Sequence, residues 1–177
     1  MTTVRFPDGF HLEQLEKKHR RATLRCGEEA VDRWLKTQAR QAQDKRLSVT
    51  RVLLDAVDTI AGYYTLALGQ VHFDELPHEH ARRLPQTLLP IITLAWLGGE
   101  QRYQGLGLGT RLLAQALTDC HASGQVVPFV AVILDCLGPA AKSFYQRYDF
   151  KELPGHPMRL MLPWSLLDAM MLSNESA

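Results

Sequence analysis

The sequence has no apolar run approaching the roughly 20 residues that a membrane-spanning helix requires, so no segment reads as a span. Its first residues, Met1-Thr2-Thr3-Val4-Arg5, lack the basic-then-apolar pattern of a secretory signal. Cysteine is scarce: Cys26, Cys120 and Cys136 are odd in number and far apart. That excludes a disulfide framework and points to reduced thiols in a cytoplasmic protein. Charge of either sign is not in excess. A formal net charge of +1 demands no nucleic-acid partner globally, and any polyanion-binding surface must be a local patch. There is no repeat, low-complexity tract or long linker, so residues 1–177 read as one domain. What is present is ordinary for a globule: 46% hydrophobic and 22% charged residues.

Periodicity predicts the elements. Residues 28–42 read as a helix, with Ala30, Val31, Trp34, Leu35 and Ala39 on one face and Glu28 and Glu29 at its start. Leu47–Leu54 and Thr59–Leu68 read as strands of a hairpin around the turn-forming Asp55–Asp58. Residues 74–86 are polar and hold two prolines, which suits a loop or short helix. Leu89–Leu97 reads as a strand covered on both faces. Leu108, Leu112, Leu113, Ala116, Leu117 and Cys120 then form a helical stripe, with Gly124 placed to follow the helix. Val126–Leu134 is a further buried strand and Pro139–Arg147 a short helix. Phe150–Leu153 and Arg159–Leu162 are terminal strands, and Pro163–Leu172 a closing helix. A central strand–helix–strand unit implies a crossover and a mixed sheet.

Glycines 98, 99, 105, 107 and 109 cluster where a buried strand gives way to a helix. Glycine lets the backbone approach a ligand closely and take positive φ. The free N–H groups and dipole of a helix start favour phosphate oxygens. A glycine-rich turn with no ligand is the plainer alternative. A Walker loop would end in Gly-Lys-Ser/Thr, whereas Gly109 is followed by Thr110-Arg111. A dinucleotide fold places Gly-x-Gly-x-x-Gly after its first strand; here the spacing is Gly-x-Gly-x-Gly, past mid-chain.

The stretch Gln104-Gly105-Leu106-Gly107-Leu108-Gly109, followed by Leu112-Leu113, resembles the pyrophosphate signature Gln/Arg-x-x-Gly-x-Gly/Ala of the GNAT superfamily of acyl-CoA-dependent N-acetyltransferases. Arg102-Tyr103-Gln104-Gly105-Leu106-Gly107 fits the same signature, so two registers are open; the first sets the helix start at the right distance from Leu112-Leu113. Ala140 through Phe150, with Phe144-Tyr145, resembles a second mark of that superfamily, with Asp149 where glycine is usual. The resemblance implies an α+β fold: a GNAT-type mixed, mostly antiparallel central sheet with a βαβ acyl-CoA core over about 89–150, flanking helices, and a C-terminal strand and helix over 157–172.

Further stretches narrow the likeness. Arg25-Cys26-Gly27 with Leu35, Gly62 through Leu66, Glu75-Leu76-Pro77 and Arg102 through Gly105 look like the GNAT toxins of bacterial type II toxin–antitoxin pairs, over roughly residues 20 to 165. That resemblance implies acetylation of the amino group of aminoacyl-tRNA, a block to translation, and a small DNA-binding antitoxin such as a ribbon–helix–helix protein. Trp96 stands where that branch commonly has arginine. A small-molecule or peptide amine as acceptor, and a catalytically silent acyl-CoA-binding module, are the alternatives.

Acetyl transfer from a thioester to an amine needs positioning, oxyanion stabilisation and proton management, and no metal. The resemblance implies that acetyl-CoA is held by Leu97, Gly98, Gly99, Gln104, Gly105, Leu106, Gly107, Leu108, Gly109, Thr110 and Phe144. It makes Tyr145 the general acid that protonates the departing thiolate. No general base stands out: Glu75 and Glu100 read as solvated carboxylates. Lys17, Lys18, Arg20 and Arg21, with Arg25, are the candidate phosphate contacts to tRNA, and Arg82-Arg83 adds to them. His78-Glu79-His80 reads as an exposed tract rather than a metal site, and Cys136 as core. Trp34 reads as core, Trp96 as a possible base-stacking surface, and Trp164 as a packing or homodimer anchor.

Overall fold

The structure is a computed structural model that describes residues 4–176. In chain order the elements are β1 (His11–Gln14), α1 (Glu29–Thr37), α2 (Ala39–Asp44), β2 (Val49–Leu54), β3 (Ile60–His72), α3 (His78–Ala81) and β4 (Leu88–Gly99). There follow α4 (Leu108–Val126), β5 (Ala131–Asp135), α5 (Pro139–Gln146), β6 (Lys151–Leu153), β7 (His156–Pro163) and α6 (Trp164–Glu175). The strand order is β1-β2-β3-β4-β5-β7-β6. β4 and β5 run parallel; β1/β2, β2/β3, β5/β7 and β6/β7 run antiparallel. This is the mixed, mostly antiparallel sheet the sequence implies. Among the described residues no helix is long and apolar enough to cross a membrane. The chain divides into two compact units, one of residues 4–67 and 94–117, the other of 68–93 and 118–176.

The first unit is built on Leu15, Leu24, Val31, Leu35, Ala39, Val52, Leu54, Ile60 and Tyr63. The helix expected over 28–42 is two helices, broken at Gln38 (φ −125°, ψ −35°). Val31, Leu35 and Ala39 recur in steps of four, and at 3.6 residues per turn such a stripe drifts around the helix. The break re-aims α2, so Ala39 stays buried. It also turns Gln43 inward, donating to the Leu15 carbonyl (2.8 Å) and accepting from the Thr50 N–H (2.9 Å). The β2–β3 turn lies where expected. Asp55 Oδ1 accepts from the Val57 and Thr59 N–H groups (3.1 and 2.9 Å), and Asp58 takes the left-handed region (φ 58°) that aspartate tolerates. β1 has no counterpart in the sequence reading: four residues without a β-branched side chain give no strand signal.

The second unit packs Val71, Leu76, Leu89, Ile91, Ala131, Ile133, Leu153 and Met161 together. β4 is covered less completely than expected over Leu89–Leu97, since Pro90 is exposed. The strand expected from Val126 begins only at Ala131, because Val126 belongs to the last turn of α4. Gly124, expected after that helix, lies inside it. A β-carbon there would collide with the Trp164 ring and reach Phe129 at 2.8 Å. Trp164 packs edge-on to Phe129 (5.3 Å) and stacks on His121 (5.0 Å, 4°), whose Nε2 lies 2.8 Å from Asp168. Replacing Gly124 with alanine gains about 1 kcal/mol of helix propensity but overpacks this cluster, which costs about 1–3 kcal/mol. The expected net result is a Tm lower by a few degrees with a shifted tryptophan emission, read by thermal melts; a raised Tm would mean the indole moves aside freely.

Candidate active site

The segment leading out of β4 is fixed by backbone bonds. Glu100 N–H donates to the Ala61 carbonyl (2.8 Å), Gln101 N–H to the Arg25 carbonyl (2.8 Å), and Arg25 N–H to Glu100 Oε2 (2.9 Å). Glu100 is buried, not the solvated carboxylate its sequence setting implied, and its Oε2 is the acceptor for the Arg25 N–H. A 3₁₀ turn over Gln101–Tyr103 follows, then Gln104 in extended conformation (φ −60°, ψ 143°).

Gly105 (φ 89°) and Gly107 (φ 70°) both occupy the left-handed region. A β-carbon at either would meet nothing within 4 Å, so backbone handedness, not crowding, calls for glycine there. The helical bonding of α4 opens with Arg111 N–H donating to the Gly107 carbonyl (3.1 Å), which leaves the N–H groups of the first turn without helical acceptors. Gly109 and the exposed Thr110 lie in that turn, and Leu106 is exposed. Leu108, Leu112 and Leu113 are buried and root the helix. Of the β4 residues, Leu97 is half-buried. Gly98 is a packing glycine, its β-carbon position 2.6 Å from Val31 Cγ1, and Gly99 has room beside it. The loop, exposed over Gln104–Gly107, runs into the positive end of a helix dipole, an arrangement suited to phosphate oxygens.

Tyr145, in the second unit, projects from α5, which starts cleanly with Pro139 in its first turn behind Gly138. Its ring packs edge-on to Phe150 (5.7 Å) and Phe144 (5.1 Å) and is 8% exposed. Among the described residues its hydroxyl has no hydrogen-bond partner, so it is not tied to a backbone carbonyl. Burial pushes the phenol well above its usual range, with Cys136 adding to the effect. It is therefore protonated at any physiological pH, the state an acid needs. Phe144 is half-buried, with the Arg147 guanidinium over its face (5.5 Å). The thiols are unsuited to nucleophilic work: burial pushes Cys136 up, and Cys26 up to about 12.

The basic run separates into different environments. His19 is buried: its Nδ1 accepts the Glu16 N–H (2.9 Å), so Nε2 carries the proton and donates to Glu13 (2.9 Å). Lys18 pairs with the same Glu13 (2.8 Å), and hydrogen bonds from Lys18 and then His19 hold that carboxyl down at about 2. Arg25 turns its guanidinium to the Ala22 and Leu24 carbonyls (3.0 and 2.8 Å). Arg21 reaches the Lys36 carbonyl at only 3.5 Å. Lys17 and Arg20 are exposed and, among the described residues, make no ion pair.

Other candidates are occupied. Glu75, half-buried, accepts the His72 N–H (3.0 Å) and faces Arg159 (3.6 Å), so it too departs from the solvated carboxylate expected. Trp34 and Trp96 stack on each other (5.4 Å, 14°) against the first unit's core, which takes up the face each would offer a base. His78 and His80 lie in α3, with His80 3.5 Å from Glu79. Arg82 and Arg83 are exposed just beyond it. Sequence reasoning missed Asp55 and Tyr103 as partners: Tyr103 donates its hydroxyl to Asp55 Oδ2 at 2.8 Å. It also missed Arg111, which donates to the Arg5 carbonyl (2.6 Å). No local pattern signals either contact.

No family model matches the chain. A tRNA-acetylating toxin of Mycobacterium tuberculosis (strain ATCC 25618 / H37Rv) is 33% identical over 103 residues, 58% of this chain; the chain spans about three-fifths of that relative's length (61%). The probable toxin TacT of Sinorhizobium fredii (strain NBRC 101917 / NGR234) is 28% identical over 163 residues, 87% of this chain and 90% of the relative. Among solved structures, AtaT complexed with acetyl-methionyl-tRNAfMet superposes with a TM-score of 0.84 at 23% identity, covering 92% of this chain and 99% of AtaT. A tyrosine-to-phenylalanine mutant of KacT gives 0.85 at 23% identity, with 92% and 99% covered. A tyrosine-to-phenylalanine mutant of AtaT, bound to the C-terminus of the antitoxin AtaR and acetyl-CoA, gives 0.78 at 20% identity, with 93% and 99% covered. The chain thus has the GNAT fold, and it resembles the bacterial GNAT toxins in sequence and structure.

Proposed function

We propose that this chain is an acetyl-CoA-dependent N-acetyltransferase, a single catalytic domain whose acceptor is the amino group of aminoacyl-tRNA, and that it works in the cytoplasm as a translation-blocking toxin. The observation that carries the reading is the pair of left-handed glycines, Gly105 and Gly107, leading directly into the first turn of α4, whose N–H groups lie at the positive end of the helix dipole. We give the pyrophosphate to the Gln104–Gly109 register, because α4 begins at Leu108, inside it. Leu97, Gly98 and Gly99 align the acyl arm through their backbone groups, with Thr110 and Phe144 completing the acetyl-CoA contacts. The neutral amine attacks the thioester carbonyl, the tetrahedral oxyanion collapses, and Tyr145 gives its proton to the coenzyme A thiolate as the C–S bond breaks. The acceptor's own proton leaves to water, since neither Glu75 nor Glu100 is free of structural bonds.

The partners follow from the relatives. M. tuberculosis has a tRNA-acetylating toxin, AtaT has been solved with acetyl-methionyl-tRNAfMet, and a mutant of AtaT has been solved on the C-terminus of the antitoxin AtaR. The test is to incubate the purified protein with acetyl-CoA and charged tRNAs, or with polyamines and peptides. N-acetyl-aminoacyl-tRNA as the preferred product is the expected outcome. Turnover on free amines with none on charged tRNA would overturn the acceptor, and no turnover on any amine would leave a silent acyl-CoA-binding module.

A further inference from the structure

Asp55 does more than its turn requires. Closing the β2–β3 hairpin uses only Oδ1, which takes the Val57 and Thr59 N–H groups. An aspartate with that duty alone can sit exposed at a hairpin tip, yet Asp55 is 6% exposed. A buried carboxylate is costly unless all its acceptor capacity is used. Its second oxygen takes the Tyr103 hydroxyl at 2.8 Å, from 48 residues away, with the Arg102 guanidinium at 3.9 Å.

Tyr103, half-buried, is held at its ring, its hydroxyl and its backbone. Phe10 packs edge-on to its ring (5.2 Å, 87°), and Arg102 lies over it (5.1 Å). Its N–H donates to the Glu100 carbonyl (3.0 Å), and its own carbonyl accepts the Leu106 N–H (3.3 Å). The turn through Gly105 therefore closes on Tyr103 itself. The loop's own residues meet little: a β-carbon at Gly105 or Gly107 would lie in open space, and Leu106 is 49% exposed. On its far side it is rooted by the buried Leu108 and Leu112. On its near side the backbone is fixed at Glu100 and Gln101, with Gln104 N–H donating to the Gln101 carbonyl (3.0 Å), and Tyr103 is the side chain that ties the turn to the β2–β3 hairpin.

We infer that Asp55 and Tyr103 form a clasp that positions the phosphate-binding loop and thereby sets its affinity for coenzyme A. The inference rests on the loop being the pyrophosphate site. Both are positioning residues: they aim the loop's N–H donors and contribute nothing to the chemical step. An oriented loop binds a pyrophosphate without a further loss of backbone freedom, whereas an unclasped one must be ordered by the ligand.

The test is calorimetric titration of the intact protein with coenzyme A, with acetyl-transfer kinetics beside it. Tyr103→Phe removes the single hydroxyl and keeps the ring packed; Asp55→Asn keeps the turn acceptor and removes the charge. Each is expected to raise the Kd for coenzyme A, and the KM for acetyl-CoA, about tenfold. The double variant should be no worse than the weaker single, because both break one interaction. The kcat at saturating acetyl-CoA should stay within about twofold, and the acceptor KM should not move. Amide hydrogen exchange at residues 104–108 should quicken in both variants. A folded Tyr103→Phe with unchanged coenzyme A affinity overturns the clasp, whatever Asp55→Asn does; so does a loss confined to kcat. A parent that binds coenzyme A but acetylates no charged tRNA overturns the acceptor and spares the clasp, while a parent that does not bind coenzyme A overturns both.

Discussion

Replacing Tyr145 with phenylalanine is expected to lower kcat for acetyl transfer by about 10²- to 10⁴-fold and to leave the KM for acetyl-CoA within a few-fold. The two effects separate because the hydroxyl acts only as the thiolate departs, when a proton is needed, while the ring's packing on Phe150 and Phe144 survives the change. Stability should hardly move. Among the described residues the hydroxyl bonds to nothing, so its removal strands no buried partner. The pH dependence has a definite sign. A general acid fails as pH rises through its pKa, and burial raises that of Tyr145 above the ordinary 10.0. Any alkaline loss of kcat that belongs to the phenol must therefore lie above pH 10, and a limb falling between pH 8 and 9 belongs to another group. Steady-state kinetics of the variant across pH decide the matter. An unchanged kcat would remove Tyr145 from the mechanism and leave the thiolate to depart unassisted.

The glycine loop was legible because its cause is local. Positive φ selects glycine residue by residue, and the helix that follows announces itself by its apolar stripe. The hairpin was legible for the same reason, since Asp55–Asp58 carries its own turn chemistry. The single helix expected over 28–42 failed because periodicity does not register a bend at Gln38, whose purpose appears only when Gln43 meets Leu15 and Thr50. Gly124 was misplaced because a helix-ending glycine and a glycine making room for a distant indole are identical in sequence; Trp164 distinguishes them. Glu100 and Asp55 were equally opaque. Their burial is created by Arg25 and Tyr103, 75 and 48 residues away, and charged residues are ordinarily solvated. Across the site, the parts that touch backbone handedness could be read in one dimension, while the parts that hold them in place could not.

The structure also changes which members of the basic run carry the second large prediction. Lys18 is committed to Glu13 and His19 is buried beside it, while Arg25 is turned onto backbone carbonyls. Arg20, exposed and without an ion pair among the described residues, and Arg21, with one long bond to a carbonyl, retain charge to offer a phosphate. Reversing both, Arg20→Glu and Arg21→Glu, is expected to lower kcat/KM for charged tRNA by about 10- to 100-fold at low salt. Tm should shift little, since Arg20 is exposed and the one side-chain bond lost, Arg21 to the Lys36 carbonyl, is long at 3.5 Å. Salt distinguishes a phosphate contact from a general loss. If the parent engages two phosphates through these side chains, its affinity falls with salt more steeply than the variant's by a slope of about 2. The gap between them should then narrow roughly tenfold from 50 to 200 mM salt. Acetylation of a small amine by the same variant should be unaffected, because that acceptor carries no phosphate. Loss on both acceptors would point to a damaged fold, and no loss on tRNA would remove this surface from the acceptor's path. With a net charge of +1 the molecule as a whole exerts little pull on a polyanion, so the proposed tRNA acceptor would have to be captured by a few local charges such as these.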